Sequence, residues 1–230
     1  MLFKLLRLTI YAACRCYFRI EFRGAEGVPT EGPVIIAPNH VSYLDPIWVS
    51  LPVGRRLRYM TWDRMFAVPV LGPLMRAFGA FPVKVETGDR AALRLSLTHL
   101  RSGGALMVFP EGSRSRTGGT QPFKPGVIRL ALDTRAPIVP VTIIGGYRAF
   151  SPWHRFPRPR KVSIIFHAPL NVGPPADLSE SKDHLREQCR QLERIVTAAL
   201  PAGPVPGLTR DPQLPARGSV KAGIHTRSSD

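Results

Sequence analysis

The chain has 230 residues, 32 Lys+Arg against 16 Asp+Glu, a formal charge of +16 and 44% hydrophobic residues. The apolar share supplies a buried core and excludes a globally disordered chain, while the length suits one domain with short appendages. The charge calls for an anionic partner: nucleic acid, an anionic membrane surface or a phosphorylated small molecule.

The first predicted element is an N-terminal helix. At about 100° per residue, Lys4, Arg7, Arg15 and Arg19 fall in one arc of roughly 120°, with Leu2, Leu6, Ile10, Ala13, Tyr17 and Ile20 opposite. With Phe3, Tyr11, Phe18 and Phe22 as interfacial aromatics, this is the pattern of a helix lying in a membrane interface, arginines toward the headgroups. The same stripe also suits a helix docked on its own core. No run reaches the roughly 18 apolar residues of a spanning helix. Arg15 and Arg19 interrupt the apolar stretch and no small-residue cleavage site follows, so the segment is expected to be retained and to end at Arg23-Gly24.

From about Phe22, short apolar runs alternate with helical patterns. Strands are expected at Pro33–Ala37, Ala105–Phe109, Ile138–Ile144 and Val162–Phe166. Helices are expected at Ile47–Leu51, Val68–Phe78, Arg90–Leu100 and Lys124–Asp133. The alternation indicates an α/β domain, a central mixed and largely covered sheet flanked by helices. A last helix follows Asp177 and Glu180, which resemble a capping box, and carries Leu185, Leu192, Val196 and Leu200. Past Leu200 five prolines and no periodic apolar face predict a disordered tail. The expected division is 1–23 membrane-interface segment, 24–200 α/β domain and 201–230 tail.

Two loops carry the chemistry. Pro38-Asn39-His40-Val41-Ser42-Tyr43-Leu44-Asp45-Pro46 follows the first strand, where open α/β sheets build active sites. Asp45 before Pro46 suits a helix N-cap; alternatively, a turn folds the His40 imidazole back onto its carboxylate, giving two members of a triad. No serine or cysteine stands in a nucleophile signature, so a catalytic His40–Asp45 pair would activate the substrate's own hydroxyl, as in a transferase. Phe109-Pro110-Glu111-Gly112-Ser113-Arg114-Ser115-Arg116 follows a second strand. Its backbone N–H groups and guanidinium forks can hold a phosphate; an exposed loop with surface arginines is the plainer alternative. Cys14, Cys16 and Cys189 support neither a zinc module nor a disulfide framework, in keeping with a reducing compartment. The scattered histidines and acids form no ligand cluster, so no metal is expected.

Asn39-His40, four residues, then Asp45, together with Phe109-Pro110-Glu111-Gly112-Ser113-Arg114, resemble the NHx4D and FPEG(T/S)R motifs of the glycerolipid acyltransferases. Phe123-Lys124-Pro125-Gly126 and Ile138-Val139-Pro140-Val141 match two further blocks in the family's order. The resemblance implies acyl transfer from an acyl thioester, on coenzyme A or acyl carrier protein, to the hydroxyl of 1-acylglycerol 3-phosphate, making phosphatidic acid. It implies His40 as general base with Asp45 its partner, and Glu111, Gly112 and Arg114 at the acceptor's phosphate; Ser113, Arg116, Lys84 and Lys124 complete the expected substrate-binding set. Gly79-Ala80-Phe81-Pro82-Val83-Lys84-Val85 departs from the family's second motif, offering Lys84 with Val85 where an arginine is often found, which leaves another lysolipid, such as a lyso-ornithine lipid, as the alternative acceptor. The expected partners are anionic membrane lipids, the lysophospholipid and the thioester. The expected place is the cytoplasmic face of the cell membrane, peripheral or monotopic, with no further cofactor. A non-catalytic basic protein on membrane or nucleic acid is the rival; dispersed arginines and the lack of a nucleic-acid-binding signature weigh against nucleic acid.

Overall fold

Successive side chains of a strand point to opposite faces of its sheet, and here both sets are apolar. The computed structural model describes residues 2–83, 90–173 and 181–201. The Asp177–Glu180 capping pair, Lys84 and residues 202–230 lie outside the described residues. The elements run α1 (Leu2–Phe18), β1 (Glu21–Arg23), β2 (Val34–Pro38), α2 (Asp45–Ser50), β3 (Leu57–Trp62), α3 (Leu71–Ala77) and β4 (Ala80–Val83). Then follow α4 (Arg90–Arg101), β5 (Ala105–Met107), α5 (Gly126–Thr134), β6 (Ile138–Ile144), α6 (Gly146–Phe150), β7 (Ser163–Phe166) and α7 (Ser181–Ala198).

The seven strands form one sheet in the order β1-β7-β6-β2-β5-β3-β4. Only the β6–β7 pair is antiparallel, so the sheet is mixed, as expected. On one face Val34, Ile36, Met107, Val139 and Val141 pack with Phe18 of α1, Trp48 of α2, Phe78 just past α3 and Tyr147 of α6. On the other, Ile35, Ala37, Leu106 and Ile138 pack with Leu100 of α4, Ile128 of α5 and Leu192 of α7. Helices on both faces let the central strands be apolar throughout, the signature of a covered parallel sheet. Each fully buried Ile, Leu or Val contributes roughly 1.5–3 kcal/mol.

Three strands escape the sequence patterns. Residues 57–62 and 80–83 become β3 and β4 by pairing with each other and with β5. Glu21–Arg23 becomes an edge strand by pairing with β7. That pairing ends the N-terminal helix at Phe18 rather than at Arg23-Gly24: Arg19 takes a left-handed conformation, φ 49°, and turns the chain into β1. Helix α1 docks on the protein's own core through Cys14 and Phe18, with Phe18 edge-on to Trp48 at 5.0 Å. Arg7, placed by the helical wheel in the cationic arc, turns inward and donates to the Val53 carbonyl at 2.7 Å. Leu5 and Leu8 stand outward, 62% and 63% exposed.

Candidate active site

The register of the sheet builds the site. β2 and β5 are adjacent and parallel, Val34 opposite Ala105 and Ile36 opposite Met107, so the loops leaving their C-terminal ends emerge side by side, where α/β sheets bind ligands.

Asp45 lies inside the first turn of α2, with Leu44 in the N-cap position, and its carboxylate caps nothing. A cap would accept N–H groups of its own helix. Instead Asp45 Oδ2 accepts from the preceding loop: the Val41 and Ser42 N–H groups, each at 2.7 Å, and His40 Nδ1 at 2.9 Å. An oxygen already holding two backbone donors can only accept from the ring, so Nδ1 carries the proton and Nε2 is left as the base. Among the described residues Nε2 has no partner, and the imidazole, 16% exposed, opens onto a cleft. Burial pushes the His40 pKa below its usual value; the hydrogen bond and charge of Asp45 oppose this and the charge of Arg114 adds to it. The ring therefore stays neutral near pH 7, as a base requires.

The loop is held from three sides. The Asn39 amide grips β6, accepting from the Ile143 N–H at 2.7 Å and donating to its carbonyl at 3.1 Å. Phe109 stacks on the His40 ring at 3.8 Å. The Ser115 N–H donates to the His40 carbonyl at 2.8 Å. Gly146 closes the back: a Cβ there would stand 3.0 Å from Val41 and 3.3 Å from Asp45 Oδ1.

The second loop sorts its residues differently from expectation. Glu111 is 2% exposed and does not line the cleft. Its Oε1 accepts the His40 N–H at 2.8 Å and its Oε2 the Gln121 N–H at 3.0 Å, so it ties the two loops together. Burial pushes its carboxyl up to about 7, against the pull of those two donors. Gly112, Ser113, Arg114 and Arg116 line the cleft with His40. Gly112 has φ +75°, and a Cβ there would stand 2.6 Å from Lys124 Nζ, which places Lys124 beside the loop rather than in the cleft lining. The Arg114 guanidinium lies 3.8 Å over the Tyr43 ring, its charge facing the cleft. The sequence reading missed the roles of Tyr43, Phe109 and Asn39, which stood inside its two motifs, and of Gln121 and Trp153, for which no local signal existed.

The cleft, about 820 Å³, is lined by side chains of two kinds. Arg114, Arg116, Ser113 and Trp153 supply cationic and hydrogen-bonding groups, and Met60, Met65, Met75 and Met107 supply apolar ones. His40 stands among them. The described residues contain no group of His, Cys, Asp and Glu able to hold a metal, and no described helix is long and apolar enough to cross a membrane.

A protein family described as Acyltransferase matches residues 19–144, more than half of the chain. The chain is 28% identical over 177 residues to a chloroplastic 1-acyl-sn-glycerol-3-phosphate acyltransferase of Brassica napus, covering 74% of this chain and 51% of that protein. It is 29% identical over 156 residues to the 1-acyl-sn-glycerol-3-phosphate acyltransferase of Borreliella burgdorferi, covering 67% of this chain and 58% of the relative. The chain spans about half the length of the plant relatives. The crystal structure of the 1-acyl-sn-glycerophosphate acyltransferase PlsC from Thermotoga maritima superposes with a TM-score of 0.62 at 23% identity, over 84% of this chain and 82% of the other, a likeness of fold.

Proposed function

The chain belongs to the acyltransferase family, and on that premise we propose that it transfers a fatty acyl group from an acyl thioester to the free hydroxyl of 1-acylglycerol 3-phosphate. The observation that carries this reading is the His40–Asp45 pair opening onto one cleft that both arginines and methionines line. An acceptor phosphate suits Arg114 and Arg116, and an acyl chain suits the methionines, whose unbranched thioethers adapt to a flexible hydrocarbon.

His40 Nε2 takes the proton of the acceptor hydroxyl as its oxygen attacks the thioester carbonyl carbon. The tetrahedral intermediate collapses with cleavage of the C–S bond, and the imidazolium returns the proton to the departing thiolate. The products are the ester and the free thiol of coenzyme A or carrier protein. Asp45 keeps Nδ1 protonated and stabilises the imidazolium through the 2.9 Å hydrogen bond. Holding the phosphate orients the hydroxyl at the base, turning binding into proximity. A lipid acceptor requires a membrane surface, and the outward Leu5 and Leu8 of α1 suit one.

Thiol release with a panel of lysolipid acceptors tests the reading. Release is expected with lysophosphatidate and not with acceptors lacking a phosphate. No release with any lysolipid overturns it, and release with lyso-ornithine lipid but not lysophosphatidate moves the acceptor assignment.

A further inference from the structure

Between Asp133 and Asp177 the chain has no acidic residue, yet it has Arg135, Arg148, Arg155, Arg158, Arg160 and Lys161. Most of these fall in the non-helical stretch between α6 and β7, Ser151-Pro152-Trp153-His154-Arg155-Phe156-Pro157-Arg158-Pro159-Arg160-Lys161. Pro157 and Pro159 lack the N–H that helix or strand pairing would use. The stretch is nonetheless tied down. Arg158 N–H donates to the Ala149 carbonyl at 2.8 Å, and Trp153 Nε1 to the Arg116 carbonyl at 2.9 Å.

This ordered stretch presents large aromatics to solvent: Phe156 is 68% exposed and Trp153 48%. Arg155, Arg158 and Arg160 are exposed and have no carboxylate partner among the described residues; Lys161 alone pairs with Glu21. Trp153 and Pro152 line the cleft, whereas Phe156 does not. A ligand within the cleft therefore accounts for Trp153 but not for Phe156, whose ring meets the Arg155 guanidinium at 5.6 Å and is still 68% exposed. The stretch is also joined to α1, where the Tyr17 hydroxyl donates to the Pro157 carbonyl at 2.9 Å.

We infer that residues 151–161 form a second docking element for an anionic lipid bilayer, bringing the cleft mouth down onto the headgroups. Exposed Trp and Phe set among arginines that have no carboxylate partner among the described residues match the amphipathic depth and the negative potential of a bilayer interface. Protein partners of acidic surface would be met by the arginines but would not require a phenylalanine so far exposed. The inference rests on reading the acceptor as a lipid taken from a bilayer.

The test compares the unmodified chain with a variant carrying Phe156→Ser and Arg155, Arg158 and Arg160→Gln, none of which lines the cleft. Sedimentation uses vesicles of phosphatidylcholine alone and of phosphatidylcholine mixed with phosphatidylglycerol. Affinity for the mixed vesicles should fall on the order of fivefold per cation removed, with a much smaller change on neutral vesicles. Turnover of detergent-dispersed lysophosphatidate should be retained. A polarity-sensitive dye on Phe156→Cys, in a Cys16→Ser background with Cys14 and Cys189 buried, should shift to the blue on mixed vesicles. Unchanged vesicle affinity, or a dye that stays in water, overturns the inference. Retained vesicle binding with loss of carrier-protein-dependent turnover also overturns it, making the stretch a docking site for a protein donor. Lack of transfer by the unmodified chain in detergent would instead overturn the function, an outcome the vesicle measurement does not depend on.

Discussion

The loops after β2 and β5 leave neighbouring strands side by side, and they present different side chains to the cleft. In the first, Asn39 and Asp45 both turn inward and make five hydrogen bonds that fix the backbone and the ring around a single imidazole. In the second, Glu111 and Ser115 turn inward, while Arg114 and Arg116 line the cleft. Proton transfer tolerates little displacement, whereas a phosphate can be met by a long side chain from several positions. The short imidazole of the first loop is thus suited to chemistry and the long arginine side chains of the second to recognition.

The largest effect should come from removing the base. His40→Ala should lower kcat by about 10² to 10⁴ with an unchanged melting temperature, because the ring is packed against Phe109 at the cleft rather than in the core. Near-normal turnover would break the division between the loops. Asp45→Asn should cost about 10² in kcat, since an amide can turn its NH₂ toward Nδ1 and lose the tautomer. A helix cap would instead cost about 1 kcal/mol of stability and leave turnover alone, so measuring both quantities separates the two roles.

On the second loop, Arg114→Ala should raise the acceptor KM roughly 10- to 100-fold with a smaller change for the thioester, as loss of a charged hydrogen-bond pair costs about 1.5–3 kcal/mol. A rise confined to the thioester would assign Arg114 to the donor. Glu111→Gln sharpens the comparison, because this residue lies on the recognition loop and touches the catalytic one. Its amide cannot accept from both the His40 and Gln121 N–H groups as the carboxylate does; kcat should fall about fivefold with acceptor KM steady, whereas a direct phosphate role would move KM.

The smallest effect is a shift in pH dependence. The folded His40 pKa lies below 6.5, so the base is neutral above that value and is lost as pH falls through the shifted pKa. The acid limb of kcat/KM should therefore lie below pH 6.5, and Arg114→Ala, removing a positive neighbour, should move it upward. An acid limb above pH 6.5 would contradict a desolvated imidazole.

What could be read from the residues and what could not divide along a physical line. The apolar run Ile138–Ile144 announces β6 with its observed bounds, and helices α4 and α5 follow their apolar spacing closely. These elements are coded by their own periodicity, because each is buried wherever it packs. Glu21–Arg23, Leu57–Trp62 and Ala80–Val83 carry no such code, being strands through pairing with distant partners, as Glu21 is with Ser163. In the site, His40, Asp45 and Arg114 stood out as residue types at a spacing. The direction each side chain takes did not: Asp45 accepts from the loop behind it, Glu111 ties two backbones and Arg7 turns inward. Sequence alone determined which groups were present after each strand. Tertiary structure alone decided which way they face, because that depends on donors and acceptors that become neighbours only when β2, β5 and β6 pair.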